Sequence, residues 1–200
     1  MSLERPWEEP YDRLLDELSS HYPGEVTNRE FPESQNGRTV DSAYFVYPMF
    51  TFPTGSGKAR VSISEHPASG AAMIDSADNV EFLRIEQYFR TPFQIAVRQE
   101  GLFDRFQKFI GLTWEYQTGD EEFDRRYMLS ISGDGEKALV GETEFRESIK
   151  HLEPFAALVV KEWGLGCTRE ITSASTLHFP RVRDFINRTN ELTQIISRHT

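Results

Sequence analysis

The sequence predicts an α+β protein in which helices cover one face of a mainly antiparallel, curved sheet. Two patterns point there. From Glu25 to Gln99 apolar and polar residues alternate with no helical stretch between them, and parallel neighbours would need crossovers of about a dozen residues or more. Stripes of period 3.6 stand instead at the two ends of the chain. The composition agrees: 38% of residues are hydrophobic and 27% charged, and fifteen Phe, seven Tyr and three Trp make a core built largely from rings. Two hundred residues suit a single α+β domain spanning 1–200.

The elements follow in order. Tyr11, Leu14, Leu15 and Leu18 recur at i, i+3, i+4 and i+7, which predicts a helix over 7–21, stopped by Pro23-Gly24. Asn36-Gly37 suits a tight hairpin between 25–31 and 38–52, because both residues accept positive φ. The run 42–52, apolar on both faces, reads as a central strand bent at Pro48. Ala59, Val61 and Ile63 alternate with Arg60, Ser62 and Ser64, and Phe93, Ile95 and Val97 alternate with Gln94, Ala96 and Arg98, as half-buried strands do. Residues 66–79, rich in Ala, Ser, Gly and Asp, read as a mobile loop. Leu102, Phe103, Phe106, Phe109 and Ile110 mark a short helix ended by Gly111, after which 113–117 resumes a strand. Tyr127, Leu129 and Ile131 alternate up to the turn Gly133-Asp134-Gly135. Thr143 is placed to cap a helix carrying Phe145, Ile149 and Leu152. Strands are expected over 155–160 and 168–175. Pro180 opens a last helix whose stripe is Val182, Phe185, Ile186, Leu192, Ile195 and Ile196.

Charge narrows the partners. The chain carries a net −10, which repels phosphate backbones, so nucleic acid is not an expected partner. The balance is uneven: residues 161–200 hold six basic and four acidic side chains. No run approaches the roughly 18 apolar residues of a membrane span, and the first residues show no basic and apolar leader. The lone Cys167 offers no intrachain disulfide, which fits a reducing cytoplasm.

Familiar catalytic signatures fail on spacing. In Thr54-Gly55-Ser56-Gly57-Lys58-Ala59 a phosphate loop would need Gly where Phe52 stands and Ser or Thr where Ala59 stands, so a hairpin tip is expected there. Gly164-Leu165-Gly166 lacks the third Gly of a dinucleotide fingerprint, Arg169 holding that place, and it reads as a link between strands. There is no G-x-S-x-G elbow. The histidines at 21, 66, 151, 178 and 199 have no metal-ligand spacing. Cys167 lacks the Arg that a phosphatase loop places six residues on, and reads as a structural thiol. No cofactor and no metal are expected.

The densest polar cluster is Thr118-Gly119-Asp120-Glu121-Glu122-Phe123-Asp124-Arg125-Arg126-Tyr127. Asp120, Glu122 and Asp124 offer carboxylates for a cation, Asp120 and Asp124 sharing a face if the segment makes a helical turn. The spacing is not that of an EF-hand, and an Asp-capped turn neutralised by Arg125 and Arg126 accounts for it. Phe123, set between acids and before an alternating strand, is expected to turn inward. Trp114 and Tyr116 lie just upstream and complete the candidate binding or structural motif.

This motif, with the order helix, strand, motif, strand, helix, apolar strand over residues 80–200, resembles an uncharacterised bacterial domain family with a T-G-D-x-x-F-D-R-x-F-like core, in which Tyr127 replaces Phe. The resemblance implies no assigned chemistry, and members of the family are often joined to membrane segments. The expected function is noncatalytic: binding of a protein partner, a second copy or a small ligand on the sheet face left open by the helices. The competing expectation is a metal-dependent or acid/base hydrolase using 120–124 with a distant His.

Overall fold

The computed structural model describes residues 7–27, 47–64, 80–99 and 116–200. Helix α1 (Glu8–His21) is followed by strands β1 (Glu25–Thr27), β2 (Met49–Thr54), β3 (Gly57–Ser64), β4 (Phe82–Tyr88) and β5 (Ile95–Gln99). Then come α2 (Glu121–Arg126), β6 (Tyr127–Ile131), α3 (Asp134–Gly141), α4 (Thr143–His151), β7 (Ala157–Lys161) and β8 (Gly164–Glu170). A 3-10 turn (Ala174–Leu177) leads into α5 (Phe179–Ser197).

The eight strands form one sheet in the order β1-β2-β3-β4-β8-β7-β5-β6, and every pairing is antiparallel. Register aligns the apolar positions: Phe50 opposes Val61, Val61 opposes Ile85, and Ile85 opposes Cys167. Cys167 opposes Leu158, Leu158 opposes Val97, and Val97 opposes Leu129. These side chains join α1 residues Tyr11, Leu14 and Leu18 and α5 residues Val182, Phe185, Leu192 and Ile196 in one buried cluster. Each large side chain withdrawn there contributes about 1.5–3 kcal/mol. The α+β class, the antiparallel sheet and the two terminal helices are as the sequence predicts.

The alternate positions point to the other face. In line across the sheet they read Arg98, Ala157, Thr168, Arg84, Ser62, and one row on Ala96, Val159, Gly166, Glu86, Arg60. Among the described residues, this face adds only a small buried cluster, Ala96 and Val159 with Trp163 against them.

Several local expectations are corrected. The described part of 42–52 enters β2 after Pro48, one strand from the sheet edge rather than in the centre. The strand expected over 168–175 runs instead over Gly164–Glu170, so Gly164-Leu165-Gly166 lies inside β8 and does not link strands. Glycine has little intrinsic strand preference, but the centre of a sheet is where backbones approach most closely and tertiary pairing wins. Gly133-Asp134-Gly135 opens helix α3 rather than a simple turn; Glu136 in its first turn accepts from Gln94 N at 2.9 Å and Ser132 Oγ at 2.7 Å, which holds the helix against its glycines. Thr143 is the first residue of α4, with Glu142 in the cap position and no side-chain cap bond. Tyr116 and Gln117 are not in a strand, although Tyr116 N donates to Leu129 O at 2.8 Å. The Asn36-Gly37 hairpin, the loop 66–79 and the helix around Phe106 lie outside the described residues.

Candidate functional site

The acidic segment is built as a closed knot. Asp120 takes the N-cap position of α2, its Oδ1 accepting from Phe123 N at 3.1 Å. Asp124 reaches back, Oδ1 accepting from Thr118 N at 2.9 Å and Thr118 Oγ1 at 2.8 Å, and Oδ2 from Gly119 N at 3.0 Å. The turn this requires passes through Gly119 at φ +85°. Although a helical turn forms, the two aspartates are used on different partners. Asp120 Oδ2 faces Arg146 Nε at 3.2 Å and Lys150 Nζ at 3.8 Å. The Phe123 N–H above all, then these cations, hold the Asp120 carboxyl below its ordinary value against the opposing effect of burial.

Asp120 is thus neutralised by Arg146 and Lys150 of α4, and of the expected Arg125 and Arg126 only Arg126 meets an acid of the segment, Glu122. Arg125 is exposed. Arg126 pairs with Glu122 at 3.3 Å and Glu153 at 2.7 Å, while Glu122 also meets Lys150 at 3.5 Å. Phe123 is fully buried, 4.7 Å from the Tyr127 ring, which itself stacks on Phe155. Tyr116 is half-buried against the same core. Trp114 lies outside the described residues. What the arrangement does is pin α2 to α4 and hold Phe123 inward, with Asp120, Glu122 and Asp124 all engaged by this chain's own donors.

Among the described residues, nucleophiles and metal ligands give no second centre. Cys167 is buried and its thiol is pushed up to about 12 by desolvation. His199 Nε2 lies 3.1 Å from Glu142, and His21 sits against the Phe179 ring at 4.3 Å. Among the described residues no three His, Cys, Asp or Glu side chains are grouped to hold a metal ion.

A different feature lies at the end of the sheet where β4 leaves it beside the β7–β8 turn. Tyr88 opposes Gly164. Gly164 has φ +135°, and a Cβ there would fall 2.0 Å from Gln87 O. The missing side chain lets the two segments close: Phe89 N donates to Trp163 O at 3.2 Å and Thr91 N to Glu162 O at 3.4 Å. The Trp163 and Tyr88 rings then lie 5.6 Å apart, tilted by 42°. Arg60 stands 5.0 Å over the Tyr88 ring, and the Tyr88 hydroxyl donates to Glu86 Oε2 at 2.7 Å. Burial, then Glu86, raises the Tyr88 phenol well above its ordinary value. Glu86, itself 7% exposed, also accepts from Arg84 and Arg60. The result is a shallow groove of about 880 Å³ lined by Tyr88, Phe89, Arg90, Pro92, Glu162 and Trp163. Sequence reasoning missed it. The available signal was Trp163-Gly164, an aromatic and a glycine at a turn between two apolar runs.

Fold and sites together define an α+β protein with helices on one face of an open antiparallel sheet and an aromatic groove at the sheet's end. No family model matches the chain, and no curated protein matches it. Among solved structures the chain is similar to the crystal structure of the mycobacterial trehalose monomycolate transport factor A, TtfA. The TM-score is 0.56 at 11% identity, over 94% of this chain and 97% of that one. At that identity the likeness is one of fold.

Proposed function

We propose that this chain is a noncatalytic binding module that takes a protein partner at the sheet end carrying Trp163 and Tyr88. The observation behind this reading is the groove: two rings half-exposed side by side, with Arg90 and Glu162 at the rim. Paired aromatics ringed by charge are the usual anchor of a protein contact. Trp163 also packs on Ala96 and Val159, so the groove continues onto the face that carries no described helix. TtfA is named as a transport factor, and a carrier or adaptor role for this chain is in keeping with that. Among the described residues no helix is long and apolar enough to cross a membrane. The buried, unpaired thiol of Cys167 suits a cytoplasmic setting.

The test is photo-cross-linking in cells from a reactive side chain placed at the exposed Pro92. A discrete protein adduct is expected from the parent and is expected to vanish with Trp163→Ala at unchanged far-ultraviolet circular dichroism. An adduct of twice the chain's mass identifies the occupant as a second copy. The same adducts in the Trp163→Ala protein, or no adduct from Pro92, Arg90 or Glu162, would overturn the reading.

A further inference from the structure

A second cleft, of about 410 Å³, lies where the end of β8 meets the 3-10 turn and the start of α5. Arg169 and Arg181 both line it, with Thr172, Ser173, Ser175 and Thr176 beside them and the exposed Pro154 forming an apolar wall. Arg169 is clamped. Its Nε donates to Pro154 O at 2.7 Å, its Nη2 to Leu152 O at 3.2 Å, and its guanidinium lies 4.1 Å from the Phe185 ring. Arg181 Nη1 donates to Ser175 Oγ at 3.0 Å, and Ser175 and Ser173 hydroxyls are 2.8 Å apart.

Neither guanidinium has a carboxylate within ion-pair distance among the described residues. The acids nearby are otherwise placed: Asp184 is paired with Arg188 at 2.8 Å. Glu170, the one carboxylate on the cleft wall, is exposed and alternates to the opposite side of β8 from Arg169. Arg169 is thus a half-buried cation held only by neutral carbonyls and a ring, with Arg181 close by. Burial above all lowers its pKa, with the like charges of Arg188 and Arg181 acting in the same direction and Cys167 and the more distant Asp184 opposing them. Desolvated guanidiniums gain most from an anion that can accept several N–H bonds at once. In a chain of net charge −10, a half-buried Arg169 without a carboxylate is what asks for an anion, and Arg181, exposed to water beside it, is placed to share that anion.

We infer that this cleft binds a small organic phosphate monoester, its phosphate gripped by Arg169 and Arg181 with the Ser and Thr hydroxyls, and its organic part against Pro154. A phosphate dianion offers acceptors for the N–H groups of Arg169 not given to Pro154 and Leu152, for Arg181 and for hydroxyl donors together. The cleft exceeds what phosphate alone would fill, and its apolar wall is the place for the ester group. This site is separate from the Trp163 groove and does not depend on it.

Calorimetric titration of the full chain with phenyl phosphate, inorganic phosphate and phenol tests the inference. Saturable binding of phenyl phosphate is expected, at least about tenfold tighter than inorganic phosphate, with none from phenol. Arg181→Glu, at an exposed position that leaves the fold intact, is expected to weaken binding at least about tenfold, the loss of one charge-assisted contact. Arg90→Glu, on the other groove, is expected to leave it unchanged. Absence of saturable binding, or an Arg181→Glu protein that binds like the parent, overturns the site. Equal affinity for inorganic phosphate and phenyl phosphate overturns the ester assignment.

Discussion

Phe123 and the aspartates on either side of it divide one task between packing and hydrogen bonding. The ring is fully buried against Tyr127, so Phe123→Ala is expected to cost roughly 3–5 kcal/mol in a urea titration. Asp124 accepts three donors through both oxygens. In Asp124→Asn one oxygen becomes a donor facing a donor, and the expected cost is about 1–3 kcal/mol, mostly from the unpaired group left behind. If both variants are as stable as the parent, the knot is not structural. Asp120 supplies a pH signature. Its folded pKa lies below the unfolded value of 3.8, so its stabilisation is complete above the unfolded pKa and is lost as pH falls through the folded one. The acid limb of Tm against pH, below about pH 4, should therefore be shallower in Asp120→Asn than in the parent. An unchanged limb would remove Asp120 from the account. The sequence shows this much of the site: an Asp-capped turn around an inward Phe is written in consecutive residues. Its partners Arg146 and Lys150 are not, because they stand a helix and a strand away and meet Asp120 only once α4 is packed.

At the scale of elements, legibility follows how local the cause is. The stripe at Tyr11, Leu14, Leu15 and Leu18 and the alternation at Tyr127, Leu129 and Ile131 are self-contained patterns, and α1 and β6 form where they stand. The tip Thr54-Gly55-Ser56-Gly57 likewise joins β2 to β3. By contrast β8 owes its register to neighbours. Gly164 is a strand residue because Gln87 O comes so close that any Cβ would collide with it, a constraint that no local pattern announces. Gly164→Ala should thus be severe, destabilising by at least about 2 kcal/mol through a conformation unsuited to an L side chain plus the collision. Chemical denaturation checks this, and the variant should also lose the Trp163 and Tyr88 contact. Gly55→Ala is the control, since a Cβ there meets nothing within 4 Å, and it should unfold within about 0.5 kcal/mol of the parent. A Gly164→Ala protein as stable as that control would show the close approach to be relieved at little cost.

For the molecule as a whole, a fold held by apolar packing should be indifferent to chelators. Tm is expected to be the same with and without EDTA, and a fall of more than about 5 °C, on the order of 1–2 kcal/mol, would point to a bound cation and revive the hydrolase reading. The strand order has a consequence of another kind. β8 alone bridges the four strands β1 to β4 and the three strands β7, β5 and β6, and its partner β4 precedes it by roughly eighty residues, a long loop to close. While the chain is being made, β4 must wait with one edge bare until β8 leaves the ribosome, and a bare edge invites pairing with other chains. Nascent chains arrested before residue 164 should therefore recruit chaperones and resist compaction, whereas those released beyond α5 should collapse in one cooperative step. Residues 164–200 are therefore the expected keystone of assembly.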